Sequence, residues 1–360
     1  MSNIHETVLY VNLDALETNF KYIAAKLSKE NKIIAVIKAY AYGLGDIEIA
    51  KTLESLGVDF FWVADFDEGV QLRKGGIHLP IIVANPGTKS LKTVLEHNLE
   101  PVIYSHKMLD LYSSTQTPID IHIKFNTGMN RYGFEANDVH PILEKLAQHP
   151  NLKLKSICSH LASSDDPQKD GFSKQQIELF NSISANINAK LHREVPTHIL
   201  NSNGTLRFPI KSSEWIRLGI SLFGGLHHDD LKQIFTLKSV ISQIRSIEKG
   251  DSVGYQNSFI AEEKMKIAVI PVGYADGLNR KLGNSSGHVL INHKKCPIIG
   301  DISMDSFMAD VTQVDVEEGS EVIIFSPEHS VSLLASELDT IPYEIMATLN
   351  RRIERIYLKE

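Results

Sequence analysis

The chain of 360 residues contains only two cysteines, Cys158 and Cys296, and neither lies in a metal-ligand spacing. We therefore expect no disulfide framework and no metal site. No apolar run approaches the roughly 20 residues that a membrane-spanning helix needs. The first 30 residues are polar and mixed in charge, which is not typical of a secretory signal. These absences predict a cytoplasmic protein without a membrane partner.

Positive charge is also in short supply, because 37 Lys and Arg residues face 44 Asp and Glu residues, for a net charge of −7. This balance gives no reason to expect nucleic acid or an anionic membrane as a partner. The hydrophobic fraction of 42% is typical of a globular protein, and 360 residues exceed one ordinary hydrophobic core. We therefore expect two domains.

Strand and helix patterns alternate through the first part of the chain. The predicted strands lie near residues 33–38, 60–64, 80–84, 101–104, 119–124, 154–160, 197–200 and 214–218. After a first helix from Asp14 to about Ser28, the predicted helices are Ile47–Leu56, Asp67–Lys74, Ser90–His97, Ser105–Ser113, Asp138–Gln148 and Phe172–Leu191. Eight strands with intervening helices favour a (β/α)8 barrel. An open doubly wound sheet should carry a glycine-rich phosphate fingerprint at its first turn, which this sequence lacks.

The pattern changes after Gly225 to short strands separated by turns. These strands are Thr236–Ile241, Lys266–Ile270, His288–Ile291 and Glu321–Phe325, followed by helices near 330–338 and 342–351. We predict an α/β protein with a (β/α)8 barrel in residues 1–228 and a mostly β domain in residues 229–360. The short strand at about 7–11 is a candidate to pack with the second domain.

The stretch from Ile33 to Gly43 carries the first indication of chemistry. Its five leading apolar residues predict a strand buried on both faces, and Lys38 closes that strand. Taken alone, Lys38 would lie at a sheet edge in water. The small-residue loop that follows has two phenols and opens onto a helix, and this setting suits a Schiff-base lysine near an anion site.

Six separated blocks, in order along the chain, resemble the alanine racemase family. They are Ala35–Gly43, Lys124–Arg131, His198 with Asn201-Ser202, Arg217–Ile220, Gly273-Tyr274-Ala275-Asp276-Gly277 and Met304-Asp305. The resemblance extends almost to the last residue, and it implies a pyridoxal 5'-phosphate enzyme with the cofactor on Lys38. For the rest of the cofactor site, it implies Tyr42, Asn201, Ser202, Tyr343 and the backbone of Gly219 and Ile220 around the phosphate, with Arg217 facing the pyridine nitrogen.

The same resemblance implies a two-base mechanism through a cofactor aldimine, with Lys38 on one face of the substrate and Tyr274 of the partner subunit on the other. The active sites would then be composite sites of a twofold homodimer. His160 would lie between Tyr274 and Arg217, and Arg131 would bind the substrate carboxylate with help from the Met304 amide. Lys124 is a candidate for carbamylation by carbon dioxide, which would make it an anionic partner for Arg131.

Three of these residues also have plainer interpretations. Ser202 could be the N-cap of a short helix, and His160 alone would be read as a satisfied core histidine. A lone arginine in a strand would be read as a surface residue. Arg217, however, is flanked by Trp215-Ile216 and Leu218, so we expect it to be buried with a partner.

Four positions depart from the family pattern: Tyr40, Leu44, Asn126 and Ser303 stand where asparagine, histidine, aspartate and cysteine are more usual. Asn126 bears on the support of Arg131. The function implied is interconversion of L- and D-alanine for cell-wall peptidoglycan. The alternatives are a racemase of serine or broader specificity, a non-catalytic barrel that carries the cofactor, and a decarboxylase of the same architecture.

Overall fold

The computed structural model describes residues 4–211 and 214–359, which form two compact units. One unit, called here the barrel unit, comprises Lys21–Ala39 and Asp46–Ser221. The other, called here the β unit, comprises the chain up to Phe20, Tyr40–Gly45 and the chain from Leu222 onward. The domain boundary between residues 228 and 229 stays a prediction.

Eight parallel strands form the sheet of the barrel unit. In chain order they are Lys32–Val36, Phe60–Val63, Ile81–Val83, Glu100–Ile103, Ile119–Lys124, Leu152–Cys158, Thr197–His198 and Trp215–Leu218. Consecutive strands are neighbours, and the last strand pairs with the first. A parallel bridge between Thr197 and Glu214 joins the remaining two edges, so the sheet closes. The predicted (β/α)8 barrel is confirmed, and the alternative of an open sheet is wrong.

Apolar side chains explain why these segments become strands. Residues 33–36 and 60–63 are buried throughout, as expected for strands covered by side chains on one face and by helices on the other. The helices that follow the strands are Asp46–Leu56, Phe66–Lys74, Leu91–Glu96, His106–Ser113, Val139–Gln148, Asp170–Leu191 and Ser202–Arg207. Two of their starts are fixed by caps, since Asp65 and Ser105 accept hydrogen bonds from backbone N–H groups three residues later.

The first helix differs from its predicted bounds of Asp14 to about Ser28, because it covers Leu13–Ala24. Its cap is Asn12 rather than Asp14, since the Ala15 N–H donates to Asn12 Oδ1 at 2.8 Å. Beyond the helix, Asn31 Oδ1 accepts from both the backbone N–H and the hydroxyl of Ser28 at 2.9 Å. These local bonds offer the backbone an alternative to another helical turn.

A nine-stranded sheet forms the core of the β unit. Its strands are Val8–Asn12, Phe235–Val240, Gln243–Ile247, Met265–Ile270, His288–Ile291, Lys294–Ile299, Phe307–Asp310, Glu321–Phe325 and Glu354–Leu358. Val8–Asn12 pairs antiparallel with Phe235–Val240 and parallel with Glu354–Leu358. A second, two-stranded sheet joins Ser252–Val253 to Phe259–Ile260. The mostly β character predicted for the second part of the chain is confirmed.

Several strands of the β unit were not predicted, and their sequences show why. Gln243–Ile247 and Lys294–Ile299 carry charged or polar residues at exposed positions, so they lack a continuous apolar run such as that of Phe60–Val63. The last two helices are Val331–Glu337 and Pro342–Ala347. The second of these ends four residues before the predicted Arg351. Among all described residues, no helix has both the length and the apolar character to cross a membrane.

Candidate active site

Lys38 follows the first barrel strand at the start of an unusual turn. The strand ends at Val36, and Ile37 still donates its N–H to the Trp62 carbonyl at 3.0 Å. The four residues after Lys38, from Ala39 to Tyr42, then have φ between 50° and 57°, which is left-handed helical backbone. For residues other than glycine this conformation costs about 1–2 kcal/mol each, so contacts elsewhere must hold it.

Glu68 holds the beginning of this turn within the barrel unit. Its Oε1 accepts the Ala39 N–H at 2.6 Å and its Oε2 accepts the Ala64 N–H at 2.7 Å. One carboxylate therefore ties together the loops that follow the first and second barrel strands. Glu68 was not predicted as a site residue, since an acidic residue in the first turn of Phe66–Lys74 is ordinarily explained by the helix dipole.

The end of the turn is held within the β unit. The Gly43 carbonyl accepts from Nη2 and Nε of Arg355 at 2.9 and 3.2 Å, and the Tyr357 hydroxyl donates to the Leu44 carbonyl at 3.1 Å. Tyr40 places its ring centroid 4.4 Å from the guanidinium carbon of Arg351. The departure at position 40 is thus accommodated by an aromatic–arginine contact, and the leucine at position 44 is fully buried.

Cationic side chains surround Lys38 in the barrel unit. Burial lowers the pKa of the Lys38 amine, and the charges of Arg131 and Arg217 lower it further, while Glu68 opposes them. Burial likewise lowers the pKa of Lys124 to about 8, with Arg217, Arg131 and Lys38 adding to the effect. Both shifts favour the neutral amine, which is the form that a nucleophilic amine requires.

Arg217 is only 3% exposed and uses both terminal nitrogens within the barrel unit. Nη1 donates to Nδ1 and the carbonyl of His198 at 2.7 and 2.8 Å. Nη2 donates to the carbonyls of Ser159 and Ile199 at 2.8 and 3.1 Å and to His160 Nδ1 at 3.0 Å. The Nε–H takes part in none of these bonds. The prediction of a buried, partnered arginine is confirmed, and the surface interpretation is wrong.

The two histidines beside Arg217 are held neutral. Burial and the Arg217 charge lower the pKa of both His160 and His198 well below the ordinary value. An arginine can only donate, so each Nδ1 must be an acceptor without a proton. His160 also lines a cleft together with Lys124 and Arg131, so its surroundings differ from those of a core histidine.

Asn201 and Ser202 make different hydrogen bonds at the start of the short helix Ser202–Arg207. Asn201 is the cap, since its Oδ1 accepts the Gly204 N–H at 2.9 Å, so the N-cap interpretation of Ser202 is wrong. Ser202 Oγ instead accepts from the N–H groups of Gly219 and Ser221 at 3.0 and 3.3 Å and from the Ser221 hydroxyl at 2.9 Å. Three donors that converge on one oxygen can also receive an oxygen of an anion.

Tyr42 and Tyr343 lie together in the β unit, with ring centroids 5.8 Å apart. Burial raises the pKa of Tyr42 well above its ordinary value, and the neighbouring Tyr343 adds to this. The Tyr42 hydroxyl therefore keeps its proton and can act as a hydrogen-bond donor.

Asn126 shapes the turn that leads to Arg131. Its Oδ1 accepts from the N–H groups of Gly128 and Asn130 at 3.1 and 3.0 Å, and its Nδ2 donates to Asn130 Oδ1 and Glu135 Oε1 at 2.9 Å each. An aspartate here could accept the first two bonds but could not donate the other two. The departure at position 126 thus has a local structural role beside Glu135.

Tyr274 and Met304 lie on adjoining segments of the β unit. The Tyr274 N–H donates to the Ser303 carbonyl at 3.1 Å, and the Ala275 N–H donates to the Met304 carbonyl at 3.0 Å. A Cβ on Gly273 would lie 2.2 Å from the Met304 carbonyl oxygen, so only glycine allows this approach. Tyr274 is 46% exposed and Met304 is 54% exposed, so both side chains point outward from the unit.

Two further contacts make these segments rigid. Asp276 is buried and pairs in a bidentate manner with Arg352, whose Nε and Nη2 lie 2.6 and 2.9 Å from its carboxylate oxygens. Ser303, at the position where cysteine is usual, donates to the Ser306 carbonyl at 2.7 Å and closes the Met304 loop. The phenol of Tyr274 is thereby presented on a fixed turn.

The structure thus gathers the predicted site residues in two groups. Those in the barrel unit are Lys38, Lys124, Arg131, His160, Asn201, Ser202, Arg217, Gly219 and Ile220. Those in the β unit are Tyr42, Tyr274, Met304 and Tyr343. Glu68, His198 and Ser221 belong with the first group by their hydrogen bonds, although no role was predicted for them from the sequence.

Comparisons with known proteins cover both parts of the chain. The family model described as alanine racemase, N-terminal domain, matches residues 11–227, and the model described as alanine racemase, C-terminal domain, matches residues 234–357. The chain is 35% identical over 373 aligned residues to alanine racemase 1 of Caldanaerobacter subterraneus subsp. tengcongensis, covering 98% of this chain and 95% of that protein.

Solved structures give the same result. Alanine racemase of Clostridium difficile 630 superposes with a TM-score of 0.91 at 30% identity, covering 99% of this chain and 97% of that chain. Alanine racemase from Bartonella henselae with covalently bound pyridoxal phosphate superposes with a TM-score of 0.88 at 28% identity, covering 98% of this chain and 100% of that chain.

Proposed function

The chain belongs to the alanine racemase family, and from that premise we propose that it interconverts L-alanine and D-alanine with pyridoxal 5'-phosphate as cofactor. We place this activity in the cytoplasm, where it supplies D-alanine for peptidoglycan. The observation that carries the proposal is that a lysine of lowered pKa, Lys38, and a buried arginine, Arg217, lie in one barrel.

The residues present fit this cofactor at three points. The lowered pKa of Lys38 suits an amine that must bond to the cofactor's aldehyde carbon. The N–H groups of Gly219 and Ser221, with the hydroxyl of Ser202, suit phosphate oxygens. The Nε–H of Arg217 suits a ring nitrogen acceptor. When bound, the cofactor supplies an electron sink that acidifies the proton on the substrate's α-carbon.

The other residues predicted to bind the cofactor contact its phosphate or support the residues that do. We assign phosphate contacts to Tyr42 and Tyr343, supported by the protonated phenol of Tyr42 and the 5.8 Å spacing of the two rings. The Ile220 backbone is assigned to the same set of phosphate contacts. Asn201 acts indirectly, because it caps the helix on which Ser202 lies.

Arg217 decides which reaction is favoured. A guanidinium stays charged and can only donate, so it leaves a ring nitrogen opposite it without a proton. Negative charge at the substrate's α-carbon is then less delocalised and shorter-lived. That condition favours return of a proton to the α-carbon over transamination.

Two bases exchange the α-proton in our proposal, Lys38 on one face of the substrate and Tyr274 of the partner subunit on the other. A twofold homodimer with composite sites is supported by the outward-facing side chains of Tyr274 and Met304 and by the rigid Asp276–Arg352 pair beside them. His160 is the intermediary, since it accepts from Arg217 through Nδ1 and keeps Nε2–H as a donor for the tyrosine oxygen.

Arg131 and the Met304 N–H bind the substrate carboxylate in this proposal. A pKa of about 8 leaves part of Lys124 uncharged near neutral pH, and the uncharged amine is the form that adds carbon dioxide. The resulting carbamate would be an anion within the cleft that Lys124 shares with Arg131. It would fix the guanidinium for the substrate carboxylate.

The test is direct measurement of product. Protein saturated with pyridoxal phosphate is incubated separately with L-alanine and L-serine, and the D-amino acids are quantified, with Lys38→Ala as the control. We expect D-alanine to form fastest. Formation of D-serine at a higher rate would assign the protein to a different specificity, and cofactor binding without any D-amino acid would make it a carrier.

A further inference from the structure

A continuous chain of hydrogen bonds runs through the interior of the barrel, away from Lys38. It begins at Arg217, whose Nη1 lies 2.7 Å from His198 Nδ1. His198 Nε2 lies 2.8 Å from Ser156 Oγ, which lies 2.6 Å from His122 Nδ1. His122 Nε2 lies 2.9 Å from Glu100 Oε2. The three middle members are 0% exposed. We call these five residues the histidine chain.

The far end of the histidine chain, Glu100, is itself 8% exposed and contacts charged side chains that are partly exposed. Glu100 is the first residue of its strand, so it lies at the amino ends of the parallel strands, opposite to the side on which Lys38 follows its strand. Lys155 Nζ donates to Glu100 Oε1 and to Asp120 Oδ2, each at 2.8 Å. Hydrogen bonds from His122 and Lys155 outweigh the effect of burial and hold the pKa of Glu100 below its ordinary value.

The chemistry of the two ends fixes the direction of every bond. Arg217 can only donate, so His198 accepts at Nδ1 and carries its proton on Nε2. His198 Nε2–H then donates to Ser156, which leaves the hydroxyl proton for His122 Nδ1. An ionised carboxylate can only accept, so His122 Nε2–H donates to Glu100. Every donor and acceptor along the histidine chain has a hydrogen-bond partner when both imidazoles carry their single proton on Nε2.

We propose that Glu100 is a remote positioning residue for the reaction, because through His122, Ser156 and His198 it fixes the acceptor that holds the Arg217 guanidinium. This inference rests on the proposed function. Arg217 is a buried cation whose hydrogen bonds go to carbonyls and neutral imidazoles. A chain of aligned hydrogen bonds in a medium of low dielectric polarises along its length, so the Glu100 charge at one end strengthens the acceptor at the other.

The test uses two variants and one matched control in the holoenzyme. Ser156→Ala breaks the chain in its middle, and Glu100→Gln removes the charge at its end while keeping nearly the same shape. Ser113→Ala is the control, because Ser113 is also a buried serine of the barrel unit but donates only within its own helix, to the Leu109 carbonyl at 2.7 Å.

Two readouts are needed, one of which does not depend on activity. In nitrogen-15 NMR of histidine-labelled protein, measured with and without cofactor, we expect wild-type His198 and His122 to be neutral with the proton on Nε2. Ser156→Ala should shift the His198 signal, and Ser113→Ala should not. In racemisation assays, the two chain variants should lose kcat by about five- to tenfold with nearly constant KM, the effect of one weakened hydrogen bond.

Each outcome decides the inference. A charged His198 in the wild type, or a proton on its Nδ1, would overturn the chain's direction. A loss of kcat no larger than in Ser113→Ala would make the histidine chain a structural feature only. If Ser156→Ala does not fold, Glu100→Gln carries the kinetic comparison. A wild type that binds cofactor without racemising alanine would overturn the proposed function, and the NMR signals would still decide the direction of the chain.

Discussion

Substitution of Gly43 tests whether the left-handed turn after Lys38 depends on the close approach of Gly43 to the Met346 carbonyl in the β unit. Its φ is +82°, and a Cβ at this position would lie 2.1 Å from the Met346 carbonyl oxygen and 3.3 Å from Leu349 Cβ. Gly57 is a matched control, since its φ is +90° but a Cβ placed there would have no atom within 4 Å. Alanine therefore brings backbone strain at both sites and a clash only at Gly43.

The two substitutions should differ by the size of that clash. Left-handed backbone costs a non-glycine residue about 1–2 kcal/mol, which is the whole effect expected for Gly57→Ala. Overpacking adds about 1–3 kcal/mol, and the obstacle at Gly43 is a backbone oxygen that cannot turn aside. Gly43→Ala should therefore destabilise the protein by about 2–5 kcal/mol. It should also displace the Ala39–Tyr42 turn and weaken cofactor binding at Lys38.

Thermal unfolding of the three proteins without cofactor measures the first effect, and the absorbance of bound pyridoxal phosphate during titration measures the second. For large domains about 1 kcal/mol shifts Tm by roughly 2–4 °C, so the difference between the variants is measurable. Equal losses of Tm in Gly43→Ala and Gly57→Ala would show that the contact with Met346 does not constrain the turn. Normal cofactor affinity in Gly43→Ala would show that cofactor binding does not depend on the conformation of this turn.

Three other perturbations test the proposed site. When inactive Lys38→Ala and Tyr274→Phe subunits exchange at random, about half the dimers are mixed, and each mixed dimer has one intact composite site. About a quarter of wild-type activity should therefore return. No recovery of activity after verified exchange would place both bases in one chain. Arg217→Lys keeps the charge but offers three donors in place of five, and we expect at least a tenfold lower kcat by racemisation assay, whereas an unchanged rate would remove Arg217 from the reaction. Because the pKa of Lys124 falls to about 8 on folding, the unfolded chain binds more protons than the folded chain between about pH 8 and 10, and the free energy of unfolding rises with pH in that range. Lys124→Met should therefore raise the Tm of the cofactor-free protein more at pH 7 than at pH 10. An equal gain in Tm at both pH values would contradict the lowered pKa.

Local sequence was sufficient to predict the barrel strands. Phe60–Val63 and Ile81–Val83 are wholly apolar, because burial on two faces makes such runs continuous. All eight strands lie within a few residues of their predicted positions. The predictions were weaker where one face is exposed, as in Gln243–Ile247 and Glu354–Leu358, because charged residues then interrupt the apolar pattern.

The sequence by itself also determined the family, because six blocks of specific residues recur in order, and it identified the side chains with reactive chemistry. Only the tertiary structure decided how those side chains are supported. Glu68 and Ala39 are 29 residues apart in sequence, and His122 and Glu100 are 22 apart, yet each pair shares a hydrogen bond. Strand order and register bring such residues together, and no local pattern encodes which partner a buried polar atom will meet. The left-handed turn after Lys38 has the same origin, since alanine and tyrosine do not favour that conformation on their own.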